Sequence, residues 1–450
     1  MTQTTSSEVG ARVRAAVRGR VWQPDDDGYD DARRVWNGAV DRRPAVVVRC
    51  ADAEDVRTAL LVARECDAPL SVRGGGHDWA GRALGDGAVV LDLSALRDVQ
   101  VDPRAGVAVA QGGALVADVV DPAAAHGLGT ATAVVRTVGM AGMTLAGGYG
   151  GLAGRFGLAL DNLISADVLL PDGTRVVAGP DGDAELFWAL RGGGANFGIV
   201  TAARYRLHPL GPVLGGMVLF PQQQAVQVLR GYRDLIAMAP DELTVMAGFV
   251  AGPTGEAAVF LAPTWSGDPV AGDTVLAPFL RLGTVVAGGI GPLPYGDLIR
   301  MFEQGARPGQ HYTLGTRWLP TLSDHAIQVL AEAASTWSSA SSLLALHHFH
   351  GAATRVAPDA TAFALRSEHL LAEVIAAWPG GDPTPHRAWV ERVTDALAPG
   401  ALPGGYPNIL GPADADRVRD GFGANADRLL AAKRRYDPDG VLTAIGAIGP

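Results

Sequence analysis

Hydrophobic positions along the chain change period repeatedly, and each change marks an element. Residues 45–49 form a β-branched run that predicts a strand. Residues 52–64 place apolar side chains at helical spacing behind Asp52, an N-cap residue type, and residues 69–73 return to a strand pattern. Together they predict a β-α-β unit. Further strands are predicted at 89–93 and 106–110, a helix at 115–126, and a glycine-rich passage over 139–157. Residues 164–170 and 175–178, joined by Pro171-Asp172-Gly173-Thr174, predict a hairpin, because Pro-Asp-Gly favours a tight turn. A helix at 183–191 runs into Gly192-Gly193-Gly194, and 198–207 alternates as a strand.

From about residue 211 the pattern changes. Strand-like runs at 213–220, 243–251, 257–263 and 342–351 are separated by helical segments such as 222–238, which predicts an antiparallel sheet with helices on one side. Residues 413–435 predict one long helix ahead of Asp437-Pro438-Asp439-Gly440. A length of 450 residues suits two or three domains. The expected division is 1–209 with 405–450 as one domain and 210–404 as the other.

Composition narrows the function classes. Of 37 basic residues all but Lys433 are arginine, against 47 acidic ones, and the net charge of −10 with no basic run disfavours nucleic acid and anionic membranes as partners. Cys50 and Cys66 form neither a CxxC pair nor a metal-ligand spacing, so no metal site is expected and a reducing compartment is. No apolar leader occupies residues 1–10 and no stretch of 18 apolar residues occurs, so the expectation is a cytoplasmic protein of open oligomeric state.

Glycine, 59 of 450 residues, is about twice as frequent as the usual ~7%. Composition alone therefore yields roughly one Gly-Gly-Gly, and position must decide its meaning. Arg73-Gly74-Gly75-Gly76-His77 directly follows a predicted strand, where successive N–H groups could converge on a pyrophosphate; a flexible surface turn is the other reading. It lacks the GxGxxG order and the following acidic residue of a nicotinamide dinucleotide site. The run from Thr137 to Gly150 (Thr-Val-Gly-Met-Ala-Gly-Met-Thr-Leu-Ala-Gly-Gly-Tyr-Gly) would let backbone approach a flat ring or a phosphate, or would simply pack between strands.

Four ordered motifs carry a resemblance. Arg-Gly-Gly-Gly-His at 73–77, the run 137–150, Gly-Leu-x-x-Asp-Asn at 157–162 and Leu-Phe-Trp-Ala-Leu-Arg-Gly-Gly-Gly-Ala-Asn-Phe-Gly-Ile-Val-Thr at 186–201 resemble the berberine bridge enzyme-like FAD-linked oxidases of the vanillyl-alcohol oxidase superfamily. Tyr406-Pro407-Asn408 and Arg434-Arg435-Tyr436-Asp437-Pro438 extend the resemblance over nearly the whole chain. It implies an α+β fold: a PCMH-type FAD-binding domain of two α/β subdomains, and a substrate domain whose antiparallel sheet is flanked by helices. It also implies FAD bonded through His77, by a single tether because Val135 stands where many members have a second, cysteine, tether.

By the same resemblance Arg73, Gly74, Gly75, Gly76, Thr137, Val138, Gly139, Gly142, Gly147, Gly148, Tyr149 and Gly150 line the cofactor, and Ile199 and Val200 offer backbone to its adenosine half. Val138 occupies a position that governs oxygen access, and a small residue there resembles the oxidases. Hydride abstraction also needs a proton acceptor. The acidic residue of plant relatives is unmatched at 350–355, which leaves Tyr406 and His348, with His350 on the same predicted strand face, as candidates. Ile409, Leu365 and 445–447 depart from the family pattern. The implied activity is oxidation of an alcohol or amine carbon of a small molecule, with molecular oxygen regenerating the flavin. A dehydrogenase with another acceptor and a non-catalytic FAD-binding protein stand as alternatives. Trp265, Tyr312, Trp318 and Phe349 would suit an apolar, ring-bearing substrate or a core.

Overall fold

A computed structural model describes residues 6–253 and 255–444. Its first sheet has four strands in the order Arg20–Trp22, Val46–Arg49, Val89–Asp92, Leu70–Arg73. The two strands of the β-α-β unit do not pair with each other; both lie parallel to Val89–Asp92, which sits between them. Val46 to Val48 are fully buried, as parallel strands covered on both faces require. The crossover helix Ala53–Glu65 starts where the Asp52 carboxylate accepts from the Glu54 and Asp55 N–H groups. It turns Val56, Ala59, Leu60 and Ala63 onto the sheet. Residues 74–77 thus leave the sheet directly from the end of Leu70–Arg73.

The second sheet is antiparallel, in the order Val99–Asp102, Val107–Gln111, Ile199–Arg206, Leu163–Leu169, Arg175–Ala178. The expected hairpin forms its edge, with Val168 opposite Val176. Helices Val116–Ala124, Met140–Ala146 and Ala184–Gly193 contribute to the same core.

A seven-stranded antiparallel sheet follows, in the order Ala287–Leu293, Val213–Pro221, Ala257–Trp265, Leu243–Ala251, Leu343–Phe349, His369–Trp378, His311–Leu319. Period-two alternation divides its side chains. Leu344, Leu346, Leu370, Ala372 and Val374 pack under helices Ala225–Ile236, Asp324–Ser335 and Thr384–Leu397. Phe349, Leu371 and Trp318 face the other way, onto Tyr149, Leu158 and Tyr406. The mixed α and β architecture with antiparallel sheets is the one the resemblance implied.

Two local expectations need correction. The helix predicted over 413–435 is two helices, Ala415–Phe422 and Ala426–Tyr436, because Gly423 adopts φ 49° and ends the first. The strand predicted over 342–351 ends at Phe349, and His350 leads into the 3-10 turn Gly351–Arg355. Positions 445–447 lie outside the described residues. Among the described residues no helix is long and apolar enough to cross a membrane.

Candidate active site

A cavity of about 370 Å³ opens at the end of Leu70–Arg73, lined by Gly74, Gly75, Gly76, His77, Ser94, Arg97 and Thr137 among others. Its shape depends on missing side chains. A Cβ on Gly75 would lie 2.3 Å from the Gly139 nitrogen, and one on Gly139 would lie 2.6 Å from the Gly75 nitrogen, so the two backbones touch only as glycines. Gly76 has φ 69° and turns the chain toward His77. Arg73 also lines the cavity, and its guanidinium bonds Asp92 at 3.0 and 3.2 Å and the carbonyls of Ala32 and Arg34. With Asp92 fully buried, that ion pair fixes the strand end, and Arg73 acts as a strut.

His77 Nε2 lies 2.9 Å from Thr137 Oγ1, and the ring stacks on Trp36 at 5.0 Å. Trp36 stacks in turn on Tyr312 at 3.8 Å. Asn37 clamps this stack across two sheets, donating to the Trp79 and Tyr312 carbonyls and accepting from the Tyr312 N–H. Burial disfavours the imidazolium and pulls the His77 pKa down to about 4, so at neutral pH the ring is an uncharged nitrogen nucleophile.

A second, narrow cleft with about 20 Å³ of free volume lies between the loop 134–151 and the seven-stranded sheet. Tyr149, Thr244, Met246, Tyr295, Phe302, His347 and His348 are among its walls. Two histidine–carboxylate pairs back it. His348 Nε2 is 3.3 Å from Glu368, whose carboxyl that hydrogen bond holds below the usual range, and His347 Nε2 is 3.3 Å from Glu373. A carboxylate only accepts, so Nε2–H donates and the uncharged form of the His348 ring keeps its lone pair on Nδ1, which is buried without a partner in the protein.

Beside it, Tyr406 Oη accepts from the Gly148 N–H at 3.1 Å, and a Cβ on Gly147 would lie 2.9 Å from the Tyr406 ring. Burial pushes the Tyr406 phenol up to about 12. The Tyr149 ring meets Tyr406 edge-on at 5.1 Å, and its hydroxyl donates to His369 Nε2 at 2.8 Å, since His369 Nδ1–H serves the Ser367 carbonyl.

The other expected residues have the following surroundings. Ile199 and Val200 do not line the glycine cavity; their side chains are core, and the Val200 carbonyl backs onto Gly112. Gly150 lines the second cleft and packs on the Thr132 carbonyl, Val138 packs against the core of the second sheet, and Gly142 has nothing within 4 Å of where a Cβ would stand. His350 stacks on His348 at 4.0 Å beyond the strand end. Trp265, Trp318 and Phe349 are core residues, and Tyr312 serves the Trp36 stack. Sequence reading missed His347, Glu373, Glu368 and His369; the alternation of 343–349 and 369–378 carried the signal, once those strands were known to pair.

Comparison with known proteins converges. Residues 44–179 match the family model described as an FAD binding domain. The FAD-linked oxidoreductase pgmH of Aspergillus terreus is 30% identical over 95% of this chain and 93% of its own length. The crystal structure of 6-hydroxy-D-nicotine oxidase from Arthrobacter nicotinovorans superposes with a TM-score of 0.86 at 26% identity, covering 97% of this chain and 98% of that one. Glucooligosaccharide oxidase from Acremonium strictum, described with a 6-S-cysteinyl, 8α-N1-histidyl FAD, shares the fold at a TM-score of 0.84 and 24% identity over 97% and 98% of the two chains.

Proposed function

Because the chain belongs to the FAD-linked oxidoreductases, we propose that it is an oxidase of the berberine bridge enzyme-like type acting on an alcohol or amine carbon of a small molecule. In the balanced reaction the substrate carbon gives up a hydride and its oxygen or nitrogen gives up a proton. The carbon–heteroatom single bond becomes a double bond, and one molecule of oxygen takes up both hydrogens as hydrogen peroxide. When bound, the flavin supplies the two-electron acceptor that links the substrate to oxygen.

The residues present fit that cofactor. The turn Gly74 to Gly76 with Ser94 gives a cavity of N–H and hydroxyl groups suited to a diphosphate, and Arg97, which also lines it, is paired with Asp118 at 2.7 and 2.8 Å. Gly142, with nothing within 4 Å of a Cβ, leaves backbone open to a flat ring. His77 would hold the cofactor through its one remaining ring nitrogen, Nδ1, while Thr137 fixes Nε2. The tether would be single, since Cys50 and Cys66 are buried in the core of the first sheet.

His348 and Tyr406 divide the proton work. His348 Nδ1 takes the O–H or N–H proton of the substrate, and Glu368 stabilises the imidazolium that results. Tyr406, whose phenol stays protonated at neutral pH, is a poor base and instead orients the reacting group by hydrogen bonding. The observation that carries the reading is the neutral His77 imidazole held by Thr137 at the mouth of a glycine-walled cavity.

The test is anaerobic bleaching of the flavin by arylalkyl alcohols and amines, followed by admission of air. The expected result is return of colour within seconds with one hydrogen peroxide per product. Reoxidation over minutes would contradict the oxidase assignment.

A further inference from the structure

The cleft that holds His348 has a chemical bias. Its apolar wall is made by Val134, Met246, Leu298, Ile299 and Phe302, and the hydroxyls of its two tyrosines, Tyr149 and Tyr295, are taken up by His369 and Thr132. Thr244 and Thr264 face each other across two paired strands, and His347 and His348 stand on the strand Leu343–Phe349. No arginine or lysine is among the described residues that line it. The charges that reach it are negative: Glu373 behind His347 and Glu368 behind His348. The nearby Arg366 is neutralised by Asp161, with two contacts of 2.9 Å.

From this we infer that the cleft selects a compact, apolar amine over a carbohydrate or a carboxylate. The inference rests on the proposed function and names its substrate class. A sugar would bring many hydroxyls into walls that offer few partners, and each unmatched hydroxyl loses its water. A carboxylate would meet two carboxylates and no cation. An ammonium ion meets histidine–carboxylate pairs that attract it. One of those pairs can remove a proton, leaving the nitrogen lone pair needed before a hydride departs from the neighbouring carbon. The free volume has room for about one water, so an amine enters only as wall side chains move, and Met246, unbranched and adaptable, is the wall residue best able to move aside.

Cumylamine and cumyl alcohol carry no hydrogen on the carbon bearing the heteroatom, so neither can be oxidised and each reports occupancy alone. The holoenzyme is titrated with these two, benzoate and cellobiose under argon. The visible flavin band is followed, and calorimetry provides a readout independent of it. Cumylamine is expected to bind at least about tenfold more tightly than cumyl alcohol, with benzoate and cellobiose showing no saturable binding. Glu373→Gln is expected to erase most of the preference for cumylamine over cumyl alcohol. Binding of benzoate or cellobiose as tight as that of cumylamine, or no saturable binding of cumylamine, would overturn the inference. Failure of oxidisable substrates to bleach the flavin would instead strike the proposed function, since the cumyl probes do not depend on turnover.

Discussion

Around His77 the tightest packing is main chain on main chain: Gly75 against Gly139, Gly76 turning at positive φ, and a single imidazole held by Thr137 and Trp36. Under the seven-stranded sheet the walls are side chains, with His347, His348, Glu368 and Glu373 arriving from two neighbouring strands and the turn between them. At Gly75 and Gly139 the first region leaves no room for an added atom. The second can change its side chains and keep its backbone. A fold that keeps one cofactor and many substrates would be built in this way, with a rigid backbone cradle below and a replaceable side-chain wall above.

The largest expected effect falls on the side-chain wall. His348→Ala should slow flavin reduction by about 10²- to 10⁴-fold, the range for a lost general base, with the flavin spectrum unchanged. Stopped-flow traces under argon measure it; a decrease below about threefold, far short of that range, would remove His348 from the proton path.

Acid should unsettle both regions together. His77, His350 and His369 are each pulled from an ordinary 6.5 to about 4, with burial the largest cause. Between those values the unfolded chain holds protons that the folded chain refuses. Stability therefore rises with pH, and it is lost as pH falls from about 6.5 towards 4. At pH 5 the loss should be about 1–2 kcal/mol per histidine relative to pH 7. Urea midpoints at the two pH values test it. His369→Gln should reduce the loss by about one third, and an unchanged difference would contradict the assignment.

A smaller and local effect belongs to the cradle. Gly75→Ala, whose Cβ would meet the Gly139 nitrogen at 2.3 Å, should cost about 1–3 kcal/mol and lower the FAD-to-protein ratio after purification. Full occupancy with an unaltered melting temperature would show the cradle to be more pliant than its contacts indicate. Tyr406→Phe should be milder still. It leaves the Gly148 N–H without its acceptor, at about 1 kcal/mol, and should raise KM more than it lowers kcat. A collapse of kcat alone would make Tyr406 the base and His348 the support.

The same contrast explains what the chain revealed before folding. Backbone constraints are written locally: a strand followed by Gly74 to Gly76 and His77 can be read from five consecutive residues. The β-α-β unit and the hairpin at 163–178 were legible for the same reason, through cap, turn and period. The side-chain wall is not local. His347 meets Glu373 only because Leu343–Phe349 pairs antiparallel with His369–Trp378, and no periodicity within either strand states that register. Tyr149 shows the limit from the other side: its motif placed it at the cofactor, while its hydroxyl bonds His369, a residue 220 positions away.

The claim on which the account stands is that the His77 ring nitrogen carries the flavin. The direct measurement is the visible spectrum of protein precipitated with acid and washed. The wild-type pellet should stay yellow and the His77→Ala pellet should be colourless, its flavin recovered in the supernatant or never bound. A colourless wild-type pellet from yellow native protein, or a His77→Ala pellet that stays yellow, would contradict it.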